Sequence, residues 1–163
     1  MSITYGVITV SDKTSEGKRE DKSALEIFRL MENIGTYSGD YTVIPDEKEI
    51  IKEKLIEYSD IRKLDLVLTT GGTGVSPRDV TPDATSEVLH RALPGMAEAM
   101  RHKSFLITPN AMISRAIAGV RGQTLIVNLP GSPKAARENL SVILPALKHT
   151  IEKIKGDPSE CGF

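Results

Sequence analysis

The sequence predicts an α/β fold, a three-layer α/β/α sandwich built on a mostly parallel sheet. Short aliphatic and β-branched runs alternate with segments that are apolar at helical spacing from one end of the chain to the other. Alternation of this kind places helices on both faces of a sheet. The last two runs, 116–120 and 123–129, are joined only by Arg121-Gly122. That link is too short for a crossover, so this one pair is expected to be antiparallel.

Residues 4–10 (TYGVITV) form the first strand, which stops at Ser11-Asp12. The charged stretch 13–22 reads as a loop. Ala24, Ile27, Phe28, Met31 and Ile34 then recur at helical spacing, and Gly35 stands where a C-cap would. A second strand over 36–44 ends at Pro45-Asp46. Asp46, with Glu49 three positions on, has the register of a capping box. The helix it opens turns Ile50, Ile51, Leu55 and Tyr58 inward. Residues 64–70 (LDLVLTT) are the strongest strand of the chain and run straight into Gly71-Gly72-Thr73-Gly74.

Thr81-Pro82-Asp83 supplies an N-cap, a proline at the first helical position and an acid in the first turn. That helix is expected to end near Pro94-Gly95, with a short helix over 96–103. Ser132-Pro133 opens a further helix, and Leu147, Ile151 and Ile154 mark a last one. Residues 1–157 read as one domain and 158–163 as a frayed tail.

At 163 residues the chain can bury a real core without staples. Its 21 Lys+Arg balance 22 Asp+Glu, so no overall basic field exists to hold nucleic acid or an anionic membrane. There is no tryptophan, and aromatics are 4%, which leaves no stacking platform for single strands. One cysteine, Cys161, rules out an internal disulfide and a cysteine zinc site. No run approaches the roughly 18–20 apolar residues of a membrane helix. The first apolar run has no basic segment before it, and the expected location is the cytoplasm.

Ligands of open α/β sheets bind beyond the carboxyl ends of the strands. Here those ends are Ser11-Asp12, Pro45-Asp46-Glu47, Gly71 to Asp79, and Asn128-Leu129-Pro130-Gly131-Ser132-Pro133. Glycines, hydroxyls and aspartates collect on one edge, which is the composition of a phosphate and magnesium site. Glycines let backbone N–H groups approach an anion, and a carboxylate a few residues later suits a hard cation. The same glycines could equally make only a tight strand-to-helix turn. Asp46 and Asp79 could converge on one ion, though Asp46 alone reads more simply as a helix cap, and Asp12 as a surface residue.

The loop is neither a dinucleotide fingerprint, whose last glycine is missing, nor a P-loop, which occurs nowhere. His90, His102 and His149 lie in helical segments without metal-ligand spacing. Cys161 lacks the setting of a nucleophile. Arg78 and Ser114-Arg115 are candidate anion contacts or ion-pair partners.

Together, residues 69–85 (TTGGTGVSPRDVTPDAT) resemble the signature of the molybdopterin adenylyltransferase family, found as a stand-alone bacterial enzyme and as domains of plant and animal fusion proteins. The resemblance extends to Val10-Ser11-Asp12, Ile44-Pro45-Asp46-Glu47, Leu93-Pro94-Gly95, Thr108-Pro109 with Ser114-Arg115, and residues 128–133. It implies transfer of AMP from ATP to the terminal phosphate of molybdopterin, with release of pyrophosphate. It also implies a magnesium requirement and a homotrimer, to which the apolar segment 105–118 could contribute an interface.

By position the two family aspartates, catalytic and magnesium-binding, fall on Asp46 and Asp79. The phosphate loop falls on Gly71, Gly72, Thr73 and Gly74, flanked by Ser76. Ser114 and Asn128 match positions close to the pterin and its dithiolene. Ser11, Asp12, Pro130, Gly131 and Ser132 complete the expected substrate-binding set. Lys13 departs from the family, many of whose members carry arginine there. The alternative is a module of the same pathway that binds molybdopterin or a nucleotide without chemistry. Both aspartates favour the enzyme.

Overall fold

The structure, a computed structural model, describes residues 2–162, with residues 37–39 described by their backbone alone. The elements run β1 (Ile3–Val10), α1 (Asp12–Ser15), α2 (Lys22–Glu32), β2 (Thr36–Ile44), α3 (Lys48–Ile56), β3 (Leu66–Thr70), α4 (Thr81–Val88), β4 (Arg91–Ala92), α5 (Pro94–Phe105), β5 (Ala118–Arg121), β6 (Thr124–Leu129) and α6 (Pro133–Ile154). The sheet order is β2-β1-β3-β6-β5-β4. β1 pairs in parallel with β2 and β3, and β3 with β6. The expected antiparallel pair is β5 with β6, and β4 extends it by one more antiparallel strand.

Period-two alternation along the central strands divides their side chains between two cores. Val7, Leu66, Leu68, Leu125 and Val127 point to the face covered by α2, α5 and α6. Ile8, Val67 and Ile126 point to the other, where α3 and α4 contribute Ile51, Leu55, Ala84 and Val88. The three layers follow from that division.

Several local expectations are corrected. Residues 12–15 form the short helix α1, because Ser11 Oγ accepts from Thr14 N at 3.2 Å. Asp46 does not cap α3. Its N-cap residue is Glu47, which makes no side-chain cap bond, since the Asp46 carboxylate is turned toward Asp12. Thr81 is the first residue of α4 rather than its N-cap, a place held by Val80. Ile50 is exposed rather than inward.

α4 ends at Val88, well before Pro94, and the exposed two-residue strand β4 intervenes. Pro94 begins α5 instead of closing α4. A single helix, α6, replaces the two expected after Ser132 and passes through Pro145 without a break. Residues 158–162 carry no helix or strand, and Phe163, the last residue of the expected tail, lies outside the described residues.

At the edge where β1 begins, buried Asp65 accepts from Thr4 N at 2.9 Å and pairs with Lys155 just past α6. The opposite edge carries the carboxyl ends of β1, β2, β3 and β6. β1 connects outward to β2 on one side and pairs with β3 on the other, which opens a crevice at that point.

Candidate active site

The loop after β3 is shaped by its glycines. Gly71 has φ +103, and a Cβ on it would lie 2.2 Å from the Val10 carbonyl oxygen. Its N–H donates to Leu129 O at 3.1 Å. Gly72 follows with φ +66. Two successive residues in left-handed backbone turn the chain sharply off the end of β3, a path that side chains rarely permit.

Arg115 then fixes the loop from outside. Its own N–H donates to Thr73 O at 2.8 Å. Its guanidinium donates to Gly74 O at 2.8 Å and to Asp79 O at 2.6 Å, and forks onto the Asp83 carboxylate. Hydrogen bonding from Arg115 holds Asp83 below the usual carboxylate range. The sequence suggested an anion contact or an ion-pair partner for this residue. It is the latter, and a brace for the glycine loop as well.

Asp12 and Asp46 sit at the ends of neighbouring parallel strands. Asp46 Oδ2 accepts from Asp12 N at 2.9 Å, and Asp12 Oδ1 accepts from Asp46 N at 3.0 Å. Arg78 forks onto both oxygens of Asp12 at 3.0 Å and reaches Glu47 at 3.0 Å. The two carboxyls therefore titrate in opposite directions. Hydrogen bonds from Arg78 push Asp12 down. Burial pushes Asp46 up, helped by the charges of Asp12 and Asp79 and opposed by the Asp12 N–H. Asp79 Oδ2 accepts from Ser76 N at 3.0 Å.

Two cavities flank the loop. The larger, about 650 Å³, is lined by Asp46, Asp79, Gly71, Gly72, Ser11, Gly131 and Ser132. The smaller, about 290 Å³, is lined by Thr73, Gly74, Ser114 and Pro130, with Arg101, Ser104 and Asn139 from the helices. One continuous loop thus forms a wall of both.

Most of the expected site residues come together here, and three line neither cavity. Asp12 is held by Arg78, and Ser76 is exposed. Asn128 is fully buried: its amide donates to Thr69 and Thr85 hydroxyls at 3.0 Å, and its oxygen accepts from Ile117 N. Ser11 and Ser132 carry helix caps as well as cavity wall. Residues 19–22, which the sequence reads as the end of a charged loop, line the larger cavity with Ser23, and Lys22 already opens α2, capped by Asp21. Their signal was the density of charge on the connection leaving the first strand.

Two carboxylates on one cavity wall, one of them raised by burial and by its neighbour's charge, suit a divalent cation. Among the described residues no group of three His, Cys, Asp or Glu could hold a metal by itself. No helix among the described residues is long and apolar enough to cross a membrane.

The protein family described as "Probable molybdopterin binding domain" matches residues 6–149. Over 163 aligned residues the chain is 46% identical to gephyrin of Dictyostelium discoideum, covering 94% of this chain but 23% of that protein. It is 40% identical to molybdopterin adenylyltransferase of Helicobacter pylori, covering 96% of this chain and 90% of the relative. The crystal structure of the molybdopterin biosynthesis enzyme MoaB from Thermus thermophilus superposes with a TM-score of 0.89 at 47% identity, covering 97% and 99% of the two chains.

Proposed function

The chain belongs to the molybdopterin-binding domain family, and from that premise we propose that it transfers AMP from ATP to the terminal phosphate of molybdopterin, releasing pyrophosphate. The observation that carries the reading is the pair of cavities on one loop. Asp46 and Asp79 line the larger cavity beside Gly71-Gly72, while Thr73-Gly74 line the smaller beside Ser114. A nucleotide in the first and a pterin phosphate in the second would meet at the loop.

The chemistry asks little of side chains as bases. The attacking group is a phosphate monoester, whose second pKa near 6 leaves it ionised at neutral pH. What remains is alignment and neutralisation of charge on the triphosphate. Asp46 and Asp79 would hold magnesium, which neutralises the phosphates when bound. Arg115 keeps the loop in the shape that aims its backbone, and Asn128 holds Ile117 and the two threonines beneath it.

The exposed apolar side chains of Phe105, Leu106, Ile107, Met112 and Ile113 support a symmetric assembly, a homotrimer with one site per subunit. Light scattering checks it, and a monomeric mass at working concentration refutes it.

The deciding experiment incubates the protein with molybdopterin, ATP and magnesium. Adenylated pterin and pyrophosphate in equal amounts are the expected result. Binding of both ligands without either product would leave a carrier module.

A further inference from the structure

We infer that Arg19 and Lys22 form the subsite for the pyrophosphoryl end of the nucleotide, the part that leaves. The inference rests on the adenylyl-transfer reading and deepens it. Both side chains line the larger cavity, and neither lines the smaller.

Among the described residues neither side chain has a hydrogen-bond or ion-pair partner, although two acids, Glu20 and Asp21, stand between them in the sequence. Glu20 is exposed and pairs with neither cation, and Asp21 is occupied elsewhere. Its carboxylate accepts from Thr9 Oγ1 at 2.6 Å, from Ala24 N at 3.1 Å and from the Tyr41 hydroxyl. The other two arginines bordering the loop are also taken. Arg78 is held by Asp12 and Glu47, and Arg115 by Asp83 and the loop carbonyls. Arg19 and Lys22 are thus the cavity's cations without an ion pair, set in a wall whose carboxylates are Glu20, Asp21, Asp46 and Asp79.

The geometry of transfer says which phosphates they would meet. An oxygen of the acceptor phosphate, arriving from the smaller cavity, bonds to the α-phosphorus as the bond from that phosphorus to the α–β bridging oxygen breaks. Attacking and leaving oxygens lie roughly in line. The electron pair stays on the departing pyrophosphate, which is driven deeper into the larger cavity, and no proton is transferred. Arg19 and Lys22 meet the charge that develops there.

Titration calorimetry with the full chain in magnesium buffer tests this, using pyrophosphate, ATP and AMP as separate probes. Arg19→Ala and Lys22→Ala should each weaken pyrophosphate and ATP about tenfold, the loss of roughly one charge-assisted contact. AMP affinity should stay within about twofold, because AMP lacks the phosphates these residues meet. Both side chains are exposed, so the variants should melt with the parent. Unchanged pyrophosphate affinity in the double variant overturns the inference, as does an equal loss for AMP. A parent protein that binds none of the three probes overturns the adenylyl-transfer reading itself.

Discussion

Asp12 and Asp46 cap one another across two parallel strand ends, each carboxylate accepting the other's backbone N–H, at 2.9 and 3.0 Å. The pair joins two loops that are 34 residues apart in sequence. It also fixes the direction in which Asp46 faces the cavity. Asp12 is neutralised by Arg78, whereas Asp46, pushed up by burial, forms no ion pair among the described residues.

Asp79→Ala is expected to lower adenylyl transfer about 10²–10³-fold, the usual cost of removing one charge-stabilising group from such a site. Molybdopterin binding should persist, since Asp79 does not line the smaller cavity. Pyrophosphate release and pterin fluorescence measure the two separately. Near-parental turnover would remove Asp79 from the site.

Asp46→Asn should melt higher than the parent in metal-free buffer. Burial, then the charges of Asp12 and Asp79, raise the carboxyl's pKa above its ordinary 3.8. A carboxyl raised on folding contributes stability fully below its unfolded pKa and loses it as pH rises through the folded one. Asparagine keeps the acceptor for Asp12 N and takes no charge. The melting margin should therefore open as pH rises above the ordinary carboxyl range, near 3.8, toward the raised pKa of the folded state. A margin independent of pH would show that ionisation of Asp46 costs the fold nothing.

Alanine at three of the left-handed glycines, Gly71, Gly72 and Gly122, should give three different outcomes. At Gly71 a Cβ meets the Val10 carbonyl at 2.2 Å, and the protein should fail to fold stably. At Gly72 it meets Thr81 Oγ1 at 2.4 Å and Asp46 Oδ1 at 3.0 Å, so transfer should fall more steeply than stability. At Gly122, where nothing lies within 4 Å, only the backbone cost of about 1 kcal/mol should appear. Melting curves beside activity separate the three. A Gly72→Ala enzyme of normal rate would show that the close approach has no functional use.

Arg115→Lys should behave nearly as badly as Arg115→Ala. A lysine cannot reproduce a fork that reaches Gly74 O, Asp79 O and both Asp83 oxygens together. About 1–2 kcal/mol of stability should be lost with the loop contacts. The loss of transfer should exceed what that stability explains, seen as a fall in kcat with the protein fully folded at assay temperature. A lysine variant of parental kcat would refute the bracing role.

Local pattern made the layers and the glycine loop legible, because hydrophobic period and glycine placement are local properties. Asp46 was misread for the same reason. Glu49 lies in capping register, but the N–H that captures Asp46 belongs to Asp12, which only the sheet brings near. The single helix α6 in place of two shows the same tertiary override at Pro145. That proline sits on the exposed side of α6, where the unpaired carbonyl one turn earlier can be hydrated, while Leu140, Ile143, Leu147 and Ile151 continue one buried stripe past it. Packing along that stripe outweighs the lost bond. Arg19 and Lys22 were invisible as site residues because free cations are ordinary on a surface; their meaning comes from the cavity they line.

Asp65 gathers Thr4, near the start of β1, and Lys155, just after α6, onto the edge opposite the two cavities. The first strand therefore begins, and the last helix ends, on the side away from the two cavities. A fusion partner, affinity handle or neighbouring module joined before β1 or after α6 would leave from the edge away from the entrance. An immobilised or linked version should work at the speed of the free one, provided the linker leaves the Asp65–Lys155 latch intact.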